Sequence, residues 1–197
     1  MNVDTFSIII IVLVILVCYR IYRNSDLFQL KCIISDVDGE KYCVRERNKL
    51  DQAADRLAHV NINLKAIIKH CEEKFPNNEI TIRMKKGYNP KTIVETLPTS
   101  EYTAYSENKG EKLAFCLNTK KDQQGKLIDL NTLTYVAIHE LAHIGTKSIG
   151  HTPEFWKNFK FLLNVAKEIN VYNPIDYKNN PKEYCGMDIT DNPYFDV

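Results

Sequence analysis

His139 and His143 stand four residues apart, with Glu140 directly after the first, in the run His139-Glu140-Leu141-Ala142-His143. Positions i and i+4 of a helix share a face, so both imidazoles can reach one metal ion while the carboxylate sits beside the open coordination position. This set suits zinc-dependent hydrolysis, in which the metal activates a water and the acid takes its proton. A catalytic zinc usually has three protein donors and one exchangeable water, so a third ligand is required. His151, just beyond a glycine-bounded turn from Gly145 to Gly150, is the expected donor. Glu154 is the rival, because other zinc hydrolases with this motif draw a glutamate from the following helix. The predicted site is therefore one catalytic Zn2+ on His139, His143 and His151, with Glu140 as general base.

These residues need two helices to place them. Asn131 can cap a helix that buries Leu133, Val136, Ala137 and Leu141, and Gly145 can end it. Thr152 as N-cap, Pro153 at the first position and Glu154 in the first turn open a second helix, whose apolar face carries Phe155, Trp156, Phe159, Leu162 and Leu163. His151 thus precedes a well-defined helix start.

Upstream, Leu50, Ala54, Leu57, Leu64, Ile67, Ile68, Cys71 and Phe75 recur at helical spacing, predicting one long helix over about 46–75. Its stripe reads as a core face, with a coiled-coil seam as the alternative. His59 and His70 on this helix read as ordinary boundary histidines. Alternation over Glu79 to Met84 predicts a strand; Glu101 to Ser106 and Lys112 to Asn118 predict a hairpin about Asn108-Lys109-Gly110. Zinc peptidases generally hold substrate as an added strand on an open sheet edge, here expected at Leu113 to Leu117. Residues 120–125 read as a polar loop. The last 27 residues, with Pro174, Pro181 and Pro193, read as irregular, with Tyr184-Cys185-Gly186-Met187 folding back over the domain.

The N-terminus is of a different kind. From Thr5 to Tyr22 the chain is apolar on every face if Arg20 snorkels, about 18 residues and enough to span a bilayer. A cleaved signal peptide would need basic residues before the run and small ones after it, which Met1-Asn2-Val3-Asp4 and Cys18-Tyr19-Arg20 do not supply. A buried core helix would have nothing to pack within. Arg20, Arg23 and Lys31 follow the segment, so the positive-inside rule places the body in the cytosol. Cys32, Cys43, Cys71, Cys116 and Cys185 lack metal-site spacing, and their odd number suits reduced thiols, the alternative being two bridges and one spare.

Composition is that of a globular chain, 44% hydrophobic and 26% charged. A net charge of +1 gives no broad basic field, so nucleic acid is not an expected partner; Arg83, Lys85, Lys86 and Lys91 read as a solvated face.

The two-histidine run, followed by Gly150-His151-Thr152-Pro153-Glu154-Phe155-Trp156, resembles the SprT-like and WLM (Wss1-like) zinc metallopeptidases. The resemblance implies that His139, His143 and His151 bind zinc and that Glu140 is the catalytic base. Members of that group commonly degrade proteins crosslinked to DNA and carry DNA-binding or partner-recruiting tails. This chain has an apolar N-terminal segment and no recognisable zinc finger or basic tail, so the peptidase chemistry is carried over and the DNA role is not. The metzincin pattern, with a shorter gap, does not fit.

The expected fold class is α+β, a zincin-like domain of long N-terminal helix, small mostly antiparallel sheet, motif helix and C-terminal helix, preceded by one transmembrane helix. The expected organisation is an anchor over 1–23, a connector over 24–45 and the metallopeptidase-like domain over 46–197. The expected partners are a protein or peptide substrate and, through residues 6–22, a membrane. Two other functions fit the same residues: a different zinc-dependent amide hydrolase, or a non-enzymatic membrane interaction protein.

Overall fold

A computed structural model describes residues 4–121 and 126–196. Most of the loop expected at 120–125, and the first three residues, lie outside that range. The apolar segment forms α1 (Thr5–Asn24), begun by the Asp4 carboxylate accepting from the Ser7 amide at 2.7 Å. At about 1.5 Å per residue it is about 30 Å long, the thickness of a bilayer's hydrocarbon core. Its apolar side chains are exposed along its length, so by length and composition it is able to cross a membrane.

A short helix, α2 (Asp26–Gln29), leads into β1 (Leu30–Ile34) and β2 (Lys41–Arg45). These strands pair antiparallel around a turn in which Gly39 takes φ +72°. The expected connector is therefore corrected: residues 30–45 belong to the sheet. Their short alternation was masked by the polar turn between them. Cys32 lies opposite Cys43 in the register and the two form a disulfide, and Cys116 is joined to Cys185. This corrects the expectation of reduced thiols; spacing along a chain says nothing about which cysteines a sheet register or a returning tail will bring together.

The long helix is α3 (Leu50–Lys74). It starts later than expected because residues before it are committed elsewhere. Arg45 donates from Nε to Thr96 O at 2.7 Å and from Nη2 to Thr96 Oγ1 at 2.9 Å, while Arg47 pairs with buried Glu95 and donates to Asn118 Oδ1 at 2.7 Å. Burying such charges is tolerable only because each is paired and hydrogen-bonded. The apolar stripe of α3 is core, with Ala54, Leu57, Leu64, Ile67 and Cys71 fully buried, which removes the coiled-coil alternative.

The strand expected at Glu79 to Met84 is instead helical, α4 (Glu79–Gly87). Asn78 caps it by accepting from the Ile80 amide at 3.2 Å, and Ile80, Thr81 and Met84 fall on one buried helical face. Six residues with Ile and Thr at alternate positions satisfy both periods, and the cap decides between them.

Then come β3 (Ile93–Glu95), β4 (Ala104–Glu107) and β5 (Lys112–Phe115), giving one sheet ordered β1-β2-β3-β5-β4. The β4–β5 hairpin forms as expected. The pairs β2–β3 and β3–β5 are parallel, so the sheet is mixed rather than mostly antiparallel. The crossover through α3 and α4 makes β2 and β3 parallel, since it is long enough to return the chain to the same end. The expected open edge is corrected as well. β5 lies inside the sheet and β4 is the end strand, so the edge beside the motif helix is Ala104 to Glu107.

That motif helix is α5 (Leu130–Gly145), packed against α3, α4, β4 and α6 (Pro153–Glu168). Its cap is Asp129, not Asn131: the Asp129 carboxylate accepts from the Thr132 amide at 2.9 Å, whereas Asn131 is used to hold residue 173 of the tail. Gly145 does end the helix, but for a packing reason. A Cβ there would lie 2.4 Å from the Ile80 side chain, so glycine lets α4 and α5 approach. The tail forms the hairpin β6 (Lys182–Tyr184) and β7 (Met187–Ile189), fastened back by the Cys116–Cys185 bond.

Candidate metal centre

His139 and His143 project from one face of α5, and His151 enters from the residue before the Thr152 cap of α6. The Nε2 atoms converge: His143 to His139 is 3.2 Å and His151 to His139 is 3.0 Å. Zinc–nitrogen bonds of about 2.0–2.1 Å at tetrahedral angles put donor atoms about 3.3 Å apart. As hydrogen bonds the arrangement is over-committed, because His139 Nε2 has one proton or one lone pair and faces two partners. As donors to one metal ion the three nitrogens are close enough, all lying within 4.8 Å of one another. All three sequence-predicted ligands are thus brought together.

The rings are held from behind by α6. Phe155 stacks on His143 with centroids 4.3 Å apart and meets His139 at 4.9 Å; Phe159 meets His139 at 5.1 Å; Trp156 lies 5.5 Å from His151. Phe155 and Phe159 are fully buried. Burial and the neighbouring rings hold His139 down to about 3 and His143 to about 4, so both are neutral donors at ordinary pH, as metal binding requires.

Glu154 is not a ligand in this arrangement. Its carboxylate accepts from the Ser148 hydroxyl at 2.8 Å and from the amides of Lys147 and Ser148 at 3.3 Å each. It therefore shapes the loop that delivers His151. From the other side, Lys109 donates from Nζ to His143 O at 3.0 Å, Thr146 O at 2.7 Å and Ser148 O at 3.1 Å. An ammonium at a helix C-terminus satisfies carbonyls that the helix leaves unpaired and complements its dipole. Sequence reading passed over Lys109 as a turn residue. The available signal was the turn itself, Asn108-Lys109-Gly110, where both non-glycine residues take positive φ, 46° and 58°. Gly110 allows that turn to touch α4, since a Cβ would meet Gly87 O at 2.4 Å.

Glu140, next to the first ligand, is 5% exposed, and burial pushes its carboxyl up to about 8. A dication beside it would favour the charged form and restore a base. Among the tyrosines, the structure selects two groups. Tyr102 and Tyr105 line the cleft in front of the histidines, a space of about 510 Å³ shared with Ser106 and Lys109. Tyr184 lies behind, fully enclosed, donating its hydroxyl to Thr103 O at 3.2 Å; burial and then the nearby Glu140 raise its phenol. The cluster expected at Arg83, Lys85, Lys86 and Lys91 is partly neutralised, with Arg83 paired to Glu79 and Glu154 and Lys85 to Glu72.

A mixed α/β domain carrying a three-histidine cluster behind a membrane-length helix defines the structural class. The chain is 30% identical over 194 residues to protein R325 of Acanthamoeba polyphaga mimivirus, covering 93% of this chain and 95% of that protein, and it belongs to the R325 family. Over shorter stretches it is similar to protein 136R of Invertebrate iridescent virus 6, 33% identical over 75 residues, covering 38% of this chain and 41% of that protein. It is likewise similar to protein 042R of Invertebrate iridescent virus 3, 37% identical over 71 residues, covering 36% and 43%. No protein-family model and no solved structure matches the chain.

Proposed function

We propose that this chain is a membrane-anchored, zinc-dependent peptidase with a zincin-like domain, related in its site to the SprT-like enzymes. The observation that carries the reading is the convergence of three imidazoles, with the Nε2 atoms of His143 and His151 at 3.2 and 3.0 Å from that of His139, beside a buried glutamate. His139, His143 and His151 would hold the ion. When bound, zinc supplies Lewis acidity, acidifying a water and polarising a carbonyl. Glu140 accepts the water's proton and returns it to the departing amine, which is why a carboxylate must follow the first ligand. The cleft wall made by β4 offers backbone to an extended peptide, and burial of Glu140 keeps bulk water from competing for its proton.

The helix α1 supports attachment to a membrane. The two disulfides favour maturation of the domain under oxidising conditions, and they outweigh the charge asymmetry that favours a cytosolic body.

Metal analysis and cleavage together test the proposal. We expect one zinc per chain, lost in His151→Ala, and hydrolysis of denatured casein that falls about 10²–10⁴-fold in Glu140→Gln with zinc retained. Undiminished cleavage by Glu140→Gln would sink it. Turnover of small amides without any peptide cleavage would assign the site to a different amide hydrolase.

A further inference from the structure

The end of α1 is not remote from the cleft. Tyr19, Arg20, Tyr22 and Arg23 close the apolar run, the aromatic and cationic residues that settle at the headgroup level, so this turn marks the membrane surface. There the Thr99 hydroxyl donates to Arg23 O at 3.1 Å. Thr99 lies in the loop between β3 and β4, and Thr99, Ser100, Tyr102, Tyr105 and Ser106 line a groove along the end strand of the sheet. Tyr102, Tyr105 and Ser106 also line the cleft holding His139, Glu140, His143 and His151. The two spaces therefore adjoin along these three residues, and the path over them begins against the last turn of α1 and ends at the histidines.

We propose that this path takes the extended segment adjoining a membrane span of another protein in the same bilayer, so that the substrates are juxtamembrane polypeptides. This rests on the peptidase reading. From Thr99 to Ser106 an extended chain covers at most about 23 Å at about 3.3 Å per residue, so a bond at the metal site lies within some ten residues of the lipid surface. β4 pairs within the sheet with β5 and stands at its end, where an added strand can lie. Anchoring of enzyme and substrate in one bilayer raises their effective concentration, which offsets the weak affinity of a short strand.

The test uses the full chain, zinc-loaded, in lipid vesicles. Reporters carry one span followed by an unstructured casein-derived segment, with the same sequence placed about 8 or about 40 residues from the lipid. The near site should be cut at least about tenfold faster than the far one. Inserting a flexible linker of about 20 Gly and Ser residues after Ser25 should bring the ratio close to one, with soluble-peptide cleavage unchanged. Equal rates at near and far sites by the intact chain would overturn the proposal while leaving the peptidase reading in place. Failure to cut either reporter or soluble casein, with zinc bound, would remove the peptidase reading and this inference with it.

Discussion

Glu140 is the base of the proposed mechanism, and its burial comes at a cost to the metal-free protein. In the unfolded chain it titrates near the ordinary 4.5, whereas the folded metal-free chain keeps the proton to about 8. Between those values the folded state binds more protons, so its stability falls as pH rises. His139 and His143 act in the opposite sense and lower down: with folded values of about 3 and 4, they make stability rise as pH climbs from there towards the ordinary 6.5. Glu140→Gln isolates the first effect. In urea melts of the metal-free protein, Glu140→Gln should gain on the natural chain by on the order of a few kcal/mol between about pH 5 and about pH 8. A difference that stays flat with pH would show the carboxyl to be solvated in the folded state. At this scale the sequence was highly legible: the spacing of His139 and His143 and the cap after His151 dictated where three rings would meet. The return of Tyr184-Cys185-Gly186-Met187 over the domain was legible too, whereas the role of Lys109 was not, because it acts across a tertiary contact that no local period encodes.

Between elements, the hairpin turn and the motif helix are joined by a single ammonium. Lys109 Nζ serves three carbonyls on the stretch from His143 to Ser148, and that stretch links His139 and His143 to His151. Lys109→Met removes the donors and leaves the carbonyls poorly satisfied, which should cost about 1–3 kcal/mol of stability. Because the loop presents His151, zinc affinity should fall with it, and Lys109→Arg should restore part of both. Unchanged zinc affinity in Lys109→Met, by competition with a chelator, would show the loop to be held by Glu154 alone. The same level shows where pattern reading fails. Residues 79–84 fit both periods, and only Asn78 as a cap marked the helix. The order of β4 and β5 depended on a parallel pairing of β5 with β3, long-range information absent from either strand.

For the molecule as a whole, the thiols make a direct prediction. Cys18 and Cys71 are free, and Cys71 is fully buried with its thiol pushed up to about 11. Alkylation of the folded, unreduced protein in detergent should label Cys18; after unfolding, Cys71 should follow, and Cys32, Cys43, Cys116 and Cys185 should react only once reduced. Peptide mapping by mass spectrometry distinguishes this from a chain of six free thiols. The bond from Cys116 to Cys185 fastens Tyr184, whose phenol lies near Glu140. The buried surroundings of Glu140 are therefore completed by a hairpin translated after both helices, and a ribosome-bound chain that already holds its three imidazoles still lacks it. On the peptidase reading proposed above, this chain order would keep the protein latent during synthesis, until that hairpin has closed.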